Sequence, residues 1–149
     1  MSNAHTCQAL VFRCMDFRIK PTVMAALLAE IGYSEGTYDL VSVAGAGKDL
    51  LSPDSGASEF LLKQITLSVK LHHTQEVVIL YHDNCGAYGI TDASLEYTTE
   101  CCDLKGIASL LAEKFPTLGT RTFIVKGTAS GELKLEEVES DELGNHAVA

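Results

Sequence analysis

Two thiols and an imidazole stand in two short motifs of this 149-residue chain: Cys14-Met15-Asp16-Phe17-Arg18 and His82-Asp83-Asn84-Cys85-Gly86. Two thiolates and one imidazole can hold a catalytic zinc with its fourth position open. The spacing of His82 and Cys85 lets a tight turn aim both at one ion, and Gly86 lets the backbone pass close to it. In extended chain alternate side chains share a face, so Cys14, Asp16 and Arg18 point one way and Met15 and Phe17 the other. A carboxylate then lies beside the metal with a guanidinium next to it. The planar guanidinium grips a carboxylate with two bonds and stays charged at every working pH. Held in this way, Asp16 can accept a hydrogen bond from water at the open position. Released, it could bind the metal itself and close the site.

Positioning these groups falls to an alternation of strands and helices. Ala9–Phe12 and Val77–Tyr81 read as apolar strands, one before each motif, the second apolar throughout as a strand covered on both faces should be. Between them, Pro21 opens a helix carrying Val23, Met24, Leu27, Leu28 and Ile31 and stopped by Gly32. Tyr38–Val43 is a second strand leading into the loop 44–47, and a second helix spans about Ser55 to His73. Residues from Ile90 to about Phe115 are mostly helical, with a break expected near Cys102-Asp103 or Gly106. Arg121–Val125 is a fourth strand, 127–131 a turn and Lys134–Val138 a short edge strand, followed by an acidic tail expected to fray. This pattern predicts one α/β domain over residues 1–149, with a mainly parallel sheet and helices on both faces. Ligands in such sheets bind beyond the carboxyl ends of the strands, where strand order reverses. The first and third strands can be neighbours there, which brings Cys14 to His82 and Cys85.

Composition narrows the chemistry. A formal net charge of −9 disfavours nucleic acid and anionic membrane surfaces as partners. No stretch approaches the ~20 apolar residues of a membrane span. Five cysteines, an odd number without an export signal, suggest a reducing, cytoplasmic setting in which thiols serve metals or catalysis. Cys7 reads as a small apolar side chain near the first strand, and at least one of the adjacent Cys101 and Cys102 as helix packing. Gly45-Ala46-Gly47-Lys48 lacks phosphate-loop spacing and reads as a flexible loop over the metal crevice. Lys20 occupies the position at which a Cys-x5-Arg phosphatase loop would need arginine. His72 and His73 read as solvated residues at a helix end, and Tyr88 as either pocket lining or packing. Glu136, Glu137, Glu139, Asp141 and Glu142 read as a solvated edge that discourages strand pairing.

The two motifs together resemble the zinc motifs of the β-class carbonic anhydrases, Cys-x-Asp-x-Arg after the first strand and His-x-x-Cys-Gly after the third. Val43-Ala44-Gly45 sits where that family tends to have Asn-Ala-Gly. Ser58-Glu59-Phe60 resembles a shortened Ser-Leu-Glu-Tyr region, and Ser130-Gly131-Glu132-Leu133 the turn before the last strand. The resemblance runs from about Leu10 to Val138. It implies a β-carbonic anhydrase-like α/β fold with four mainly parallel strands, helices on both faces and a short fifth edge strand. It also implies Cys14, His82 and Cys85 as ligands of Zn2+, with Asp16 and Arg18 as the catalytic dyad. The implied activity is reversible hydration of carbon dioxide to bicarbonate, in which zinc brings its bound water to a nucleophilic hydroxide near neutral pH. Thiolate donors make such a zinc less acidic than three imidazoles do, which predicts activity weighted to alkaline pH. Family habit further implies a homodimer or higher homo-oligomer with the pocket near the subunit interface.

Three departures keep other readings open. Thirteen residues precede Cys14, fewer than the family's helical arm needs. Gln8 is the only early glutamine and sits too near the first strand to serve as the family's pocket glutamine. Val43 replaces a polar residue at the pocket edge. The alternatives are hydrolysis of a related electrophile such as carbonyl sulfide or carbon disulfide, and a zinc-stabilised binding or regulatory module without turnover.

Overall fold

The computed structural model describes residues 5–139. In chain order the elements are β1 (Ala9–Cys14), α1 (Pro21–Glu30), β2 (Tyr38–Val43), a short 3-10 helix (Lys48–Leu51), α2 (Ser55–His72), β3 (Glu76–His82), α3 (Ala93–Lys114), β4 (Gly119–Lys126) and β5 (Lys134–Glu137). One sheet holds all five strands in the order β2-β1-β3-β4-β5. β1 pairs in parallel with β2 and β3, and β3 with β4, whereas β5 runs antiparallel along β4. This is the expected α/β class, with helices on both faces and β5 closing one edge.

The hydrophobic pattern explains the layering. Alternate residues of β1 face opposite ways. Leu10 and Phe12 join Leu61, Ile65, Leu104, Ile107 and Leu111 of α2 and α3 on one side of the sheet. Ala9 and Val11 join Met24 and Leu28 of α1 on the other. Each large aliphatic side chain buried in this way contributes about 1.5–3 kcal/mol. Both sandwiched strands are therefore apolar on each face, and both end at the same rim of the sheet.

Helix boundaries follow local capping chemistry. Pro21 starts α1, and the carboxylates of Asp54 and Asp92 cap α2 and α3 by accepting from Gly56 N and Leu95 N, both at 2.9 Å. The break expected within the third helix does not occur: α3 runs unbroken through Cys102-Asp103 and Gly106. Leu104, Ile107 and Leu111 bury its face across that stretch, which outweighs the cost of about 1 kcal/mol for glycine in a helix. The loop at Gly45 is packed rather than loose, with Gly45, Ala46 and Gly47 all buried and the 3-10 helix following directly. On the acidic edge Glu136 and Glu139 are exposed as expected, Glu136 accepting from Tyr97 at 2.8 Å, whereas half-buried Glu137 binds Arg121 at 2.9 and 3.0 Å. The tail expected to fray, with Asp141 and Glu142, lies outside the described residues, and no helix among those described is long and apolar enough to cross a membrane.

Candidate metal centre

Cys14 is the last residue of β1 and His82 the last of the neighbouring β3. Cys85 follows in the turn after β3, which completes the expected meeting at the carboxyl rim of the sheet. The donor atoms of Cys14, His82 and Cys85 all lie within 4.8 Å of one another, and all three residues are buried. This donor set suits one tetrahedral zinc with a position to spare.

Two further observations test the fit. His82 Nε2 is buried and has no hydrogen-bond partner. Such an orphan costs free energy unless something coordinates it. The other ring nitrogen, Nδ1, lies 2.7 Å from Asp83 O and 3.3 Å from Thr128 Oγ1, which turns Nε2 toward the two sulfurs. The thiols give the second test. A hydrogen bond from Cys85 draws Cys14 well below the ordinary thiol value, and the Cys14 sulfur in turn pushes Cys85 up. Two facing sulfurs that oppose each other's ionisation in this way suit a divalent cation, which would stabilise both as thiolates. Burial alone would lower the His82 imidazole, but the facing Cys14 sulfur outweighs burial and moves it upward.

The dyad forms by a route other than the expected one. Residues beyond Cys14 leave the extended conformation and turn, with Ile19 N bonding Asp16 O at 3.1 Å. Strand alternation therefore does not place Asp16 and Arg18; the turn does. Arg18 holds the Asp16 carboxylate through its backbone N at 2.9 Å, Nε at 3.0 Å and Nη2 at 2.7 Å. Hydrogen bonding from Arg18 brings the Asp16 carboxyl down to about 2. The guanidinium also reaches Asn84 Oδ1 at 2.6 Å and Asn84 O at 2.8 Å, tying the first motif to the second. Asp16 Oδ2 lies 3.8 Å from His82 Nε2, at the edge of the donor triangle. Met15 and Phe17 point to solvent, Phe17 with 89% of its surface exposed.

Several supports were not visible in the motifs. Arg13 is buried in β1 and donates to Cys14 O at 2.6 Å, Asp16 O at 3.2 Å and Ile19 O at 3.1 Å. A charged residue in an otherwise apolar strand was the available signal, since a buried guanidinium must use its donors. Glu96 of α3, also buried, accepts from Asn84 N at 2.7 Å and Cys85 N at 2.8 Å, one amide per oxygen. Asp83 accepts from Gly127 N and Thr128 N, both at 2.9 Å. Gly45 N approaches Cys14 Sγ at 3.4 Å from a left-handed backbone with φ 75°. Gly86, expected to ease close passage of the backbone, has open space where a side chain would stand; the left-handed residue of that turn is Asn84 with φ 54°. Tyr88 packs edge-on against Tyr81 and donates to Asp103 Oδ2 at 2.5 Å. Gln8 is exposed just before β1, at the end remote from the site.

Comparison with known proteins agrees with this architecture. Residues 4–117 match the family described as "Putative carbonic anhydrase", and the chain belongs to that family. It is 28% identical over 124 residues to an uncharacterized protein of Rickettsia conorii, a match that covers 78% of this chain and 66% of that protein, just under two thirds of its length. Its fold is similar to a tetrameric β-carbonic anhydrase from the filamentous ascomycete Sordaria macrospora, with a TM-score of 0.61 and 12% identity over 90% of this chain and 81% of that one. The chain is thus carbonic anhydrase-like in family and fold, with a buried Cys/His/Cys group able to hold a metal ion.

Proposed function

We propose that this protein catalyses the reversible hydration of carbon dioxide to bicarbonate with a zinc ion held by Cys14, His82 and Cys85. The observation that carries this reading is the placement of Asp16. Its carboxylate stands beside the donor triangle, gripped on both oxygens by Arg18, 3.8 Å from the unpartnered His82 Nε2. With Arg18 in that grip Asp16 is restrained from serving as a fourth ligand, which favours an open site over a closed one. Zinc bound there supplies Lewis acidity, bringing the ionisation of water toward neutral pH. Asp16, ionised at every working pH, accepts a hydrogen bond from the reacting water and fixes its orientation. Arg18 holds that carboxylate and, through Asn84, keeps the two motifs in register. Arg13 and Glu96 are positioning residues that act on the turns carrying Asp16 and Cys85.

The same reading includes self-association. Met15 and Phe17 are exposed on the turn that carries the dyad, and a second copy of the chain would cover them. The test of function is stopped-flow hydration of carbon dioxide by the zinc-loaded protein, with Asp16→Ala as control. Rapid hydration lost in the control is the expected result. No rate above buffer between about pH 7 and 9 would overturn the assignment.

A further inference from the structure

A second group of metal-type donors lies at the opposite end of the sheet. Cys7 precedes β1, Asp39 is in β2 and His72 ends α2, and their donor atoms all lie within 4.8 Å of one another. We propose that Cys7, Asp39 and His72 form a second divalent-cation site, distinct from the Cys14/His82/Cys85 centre and roughly 20 Å from it along β1.

The donor set is sulfur, carboxylate oxygen and imidazole nitrogen, which suits zinc and its borderline neighbours rather than calcium or magnesium. Three separate chain segments deliver the donors, and backbone structure holds them together: Cys7 N donates to His72 O at 2.9 Å and Gln8 N to Thr37 O at 2.7 Å. The Asp39 carboxylate is already oriented, with Oδ2 2.7 Å from both Ser68 Oγ and His72 Nδ1. Cys7 Sγ lies 3.0 Å from Thr74 Oγ1, which in turn sits 2.5 Å from Ser68 Oγ. Ser68 and Thr74 are both buried. They therefore form a fixed outer layer behind the ligands, of the kind that orients metal-binding carboxylates and thiolates. The negative end of the α2 dipole also points here and favours a cation. Binding would release the Cys7 proton, and the thiolate and carboxylate together would balance the ion's two charges. A cavity of about 300 Å3 opens beside Asp39 and His72, lined also by Leu67 and Leu71, and leaves room for a water or small ligand at the remaining position. Neither reading expected for these residues, an apolar Cys7 and a solvated His72, accounts for a cluster joined in this way.

Stripped, reduced full-length protein titrated with zinc against a chromophoric chelator tests the site, with cobalt as a second probe that reports thiolate ligation by its charge-transfer absorption. Two equivalents are expected. Cys7→Ser and His72→Ala should each lose one, and Cys85→Ser the other. Asp39→Asn, which keeps shape and most hydrogen bonds, should weaken the second equivalent at least tenfold with unchanged circular dichroism. Zinc uptake by Cys7→Ser and Asp39→Asn equal to that of the parent would overturn the site. An equivalent lost only in Cys85→Ser would leave the first centre standing without the second. One lost only in Cys7→Ser would do the reverse, so the two readings fail separately.

Discussion

At the scale of single residues the site is arranged for position more than for stability. A partly exposed ion pair such as Asp16–Arg18 is worth only about 0–1 kcal/mol. Its effect on turnover should be far larger, because it decides where a carboxylate points. Asp16→Asn is expected to bind zinc normally and to lose hydration activity by about 100-fold or more, read by metal analysis and stopped flow together. Glu100, a buried acid of α3, offers a test of the opposite kind. Burial, then the nearby charges of Glu96 and Asp83, raises its carboxyl to about 8, and its Oε2 has no partner. An acid whose value is raised on folding takes up a proton as the chain folds. Its contribution is intact below the ordinary value of 4.5 and is lost as pH rises through about 8. Glu100→Gln should therefore change Tm little near pH 5 and raise it by several degrees near pH 9, measured by calorimetry.

The element that matters most is the turn after β3, clasped from three directions. Glu96 takes its amides, Arg18 takes Asn84, and Asp83 takes the amides that open the loop after β4. Glu96→Gln offers one acceptor where two are needed and turns an amide donor toward an N–H. Zinc affinity should fall about 10- to 100-fold in chelator competition, with the fold retained. Gly127 supports the same turn from β4, at φ 89° and with Glu132 O where a Cβ would stand. Gly127→Ala should destabilise by on the order of 2 kcal/mol, seen as a lower urea midpoint. These elements also mark what sequence can reveal. The strands were legible because β1 and β3 are apolar on both faces, and the ligands because each stands at or just past a strand end. The bend at Asp16 was not legible: nothing in Cys-x-Asp-x-Arg separates extended chain from a turn that Arg13 pins by reaching along the backbone. The clasp by Glu96 was hidden likewise, since a glutamate on a helix declares no partner until the helix is docked. The break expected in α3 gave local signals at Gly106 more weight than the apolar face of Leu104, Ile107 and Leu111, whose burial overrides them.

For the whole molecule, exposed Met15 and Phe17 beside the proposed pocket predict that the protein associates with itself. Light scattering should give a mass of at least a dimer, and Phe17→Glu should shift it toward the monomer without unfolding the chain. A different consequence follows from the pairing of β1 with β3. The donors of Cys14 and His82 are joined through a seam of backbone hydrogen bonds between two strands, while the covalent path between them runs out through α1, β2 and α2. That path passes the exposed Pro53-Asp54 link ahead of α2. Severed there, the chain would be divided into halves holding one sulfur on one side and the imidazole with the other sulfur on the other. Neither half alone could complete the triangle, and reassociation would restore it, so zinc uptake by the mixed halves would serve as a reporter of fragment complementation.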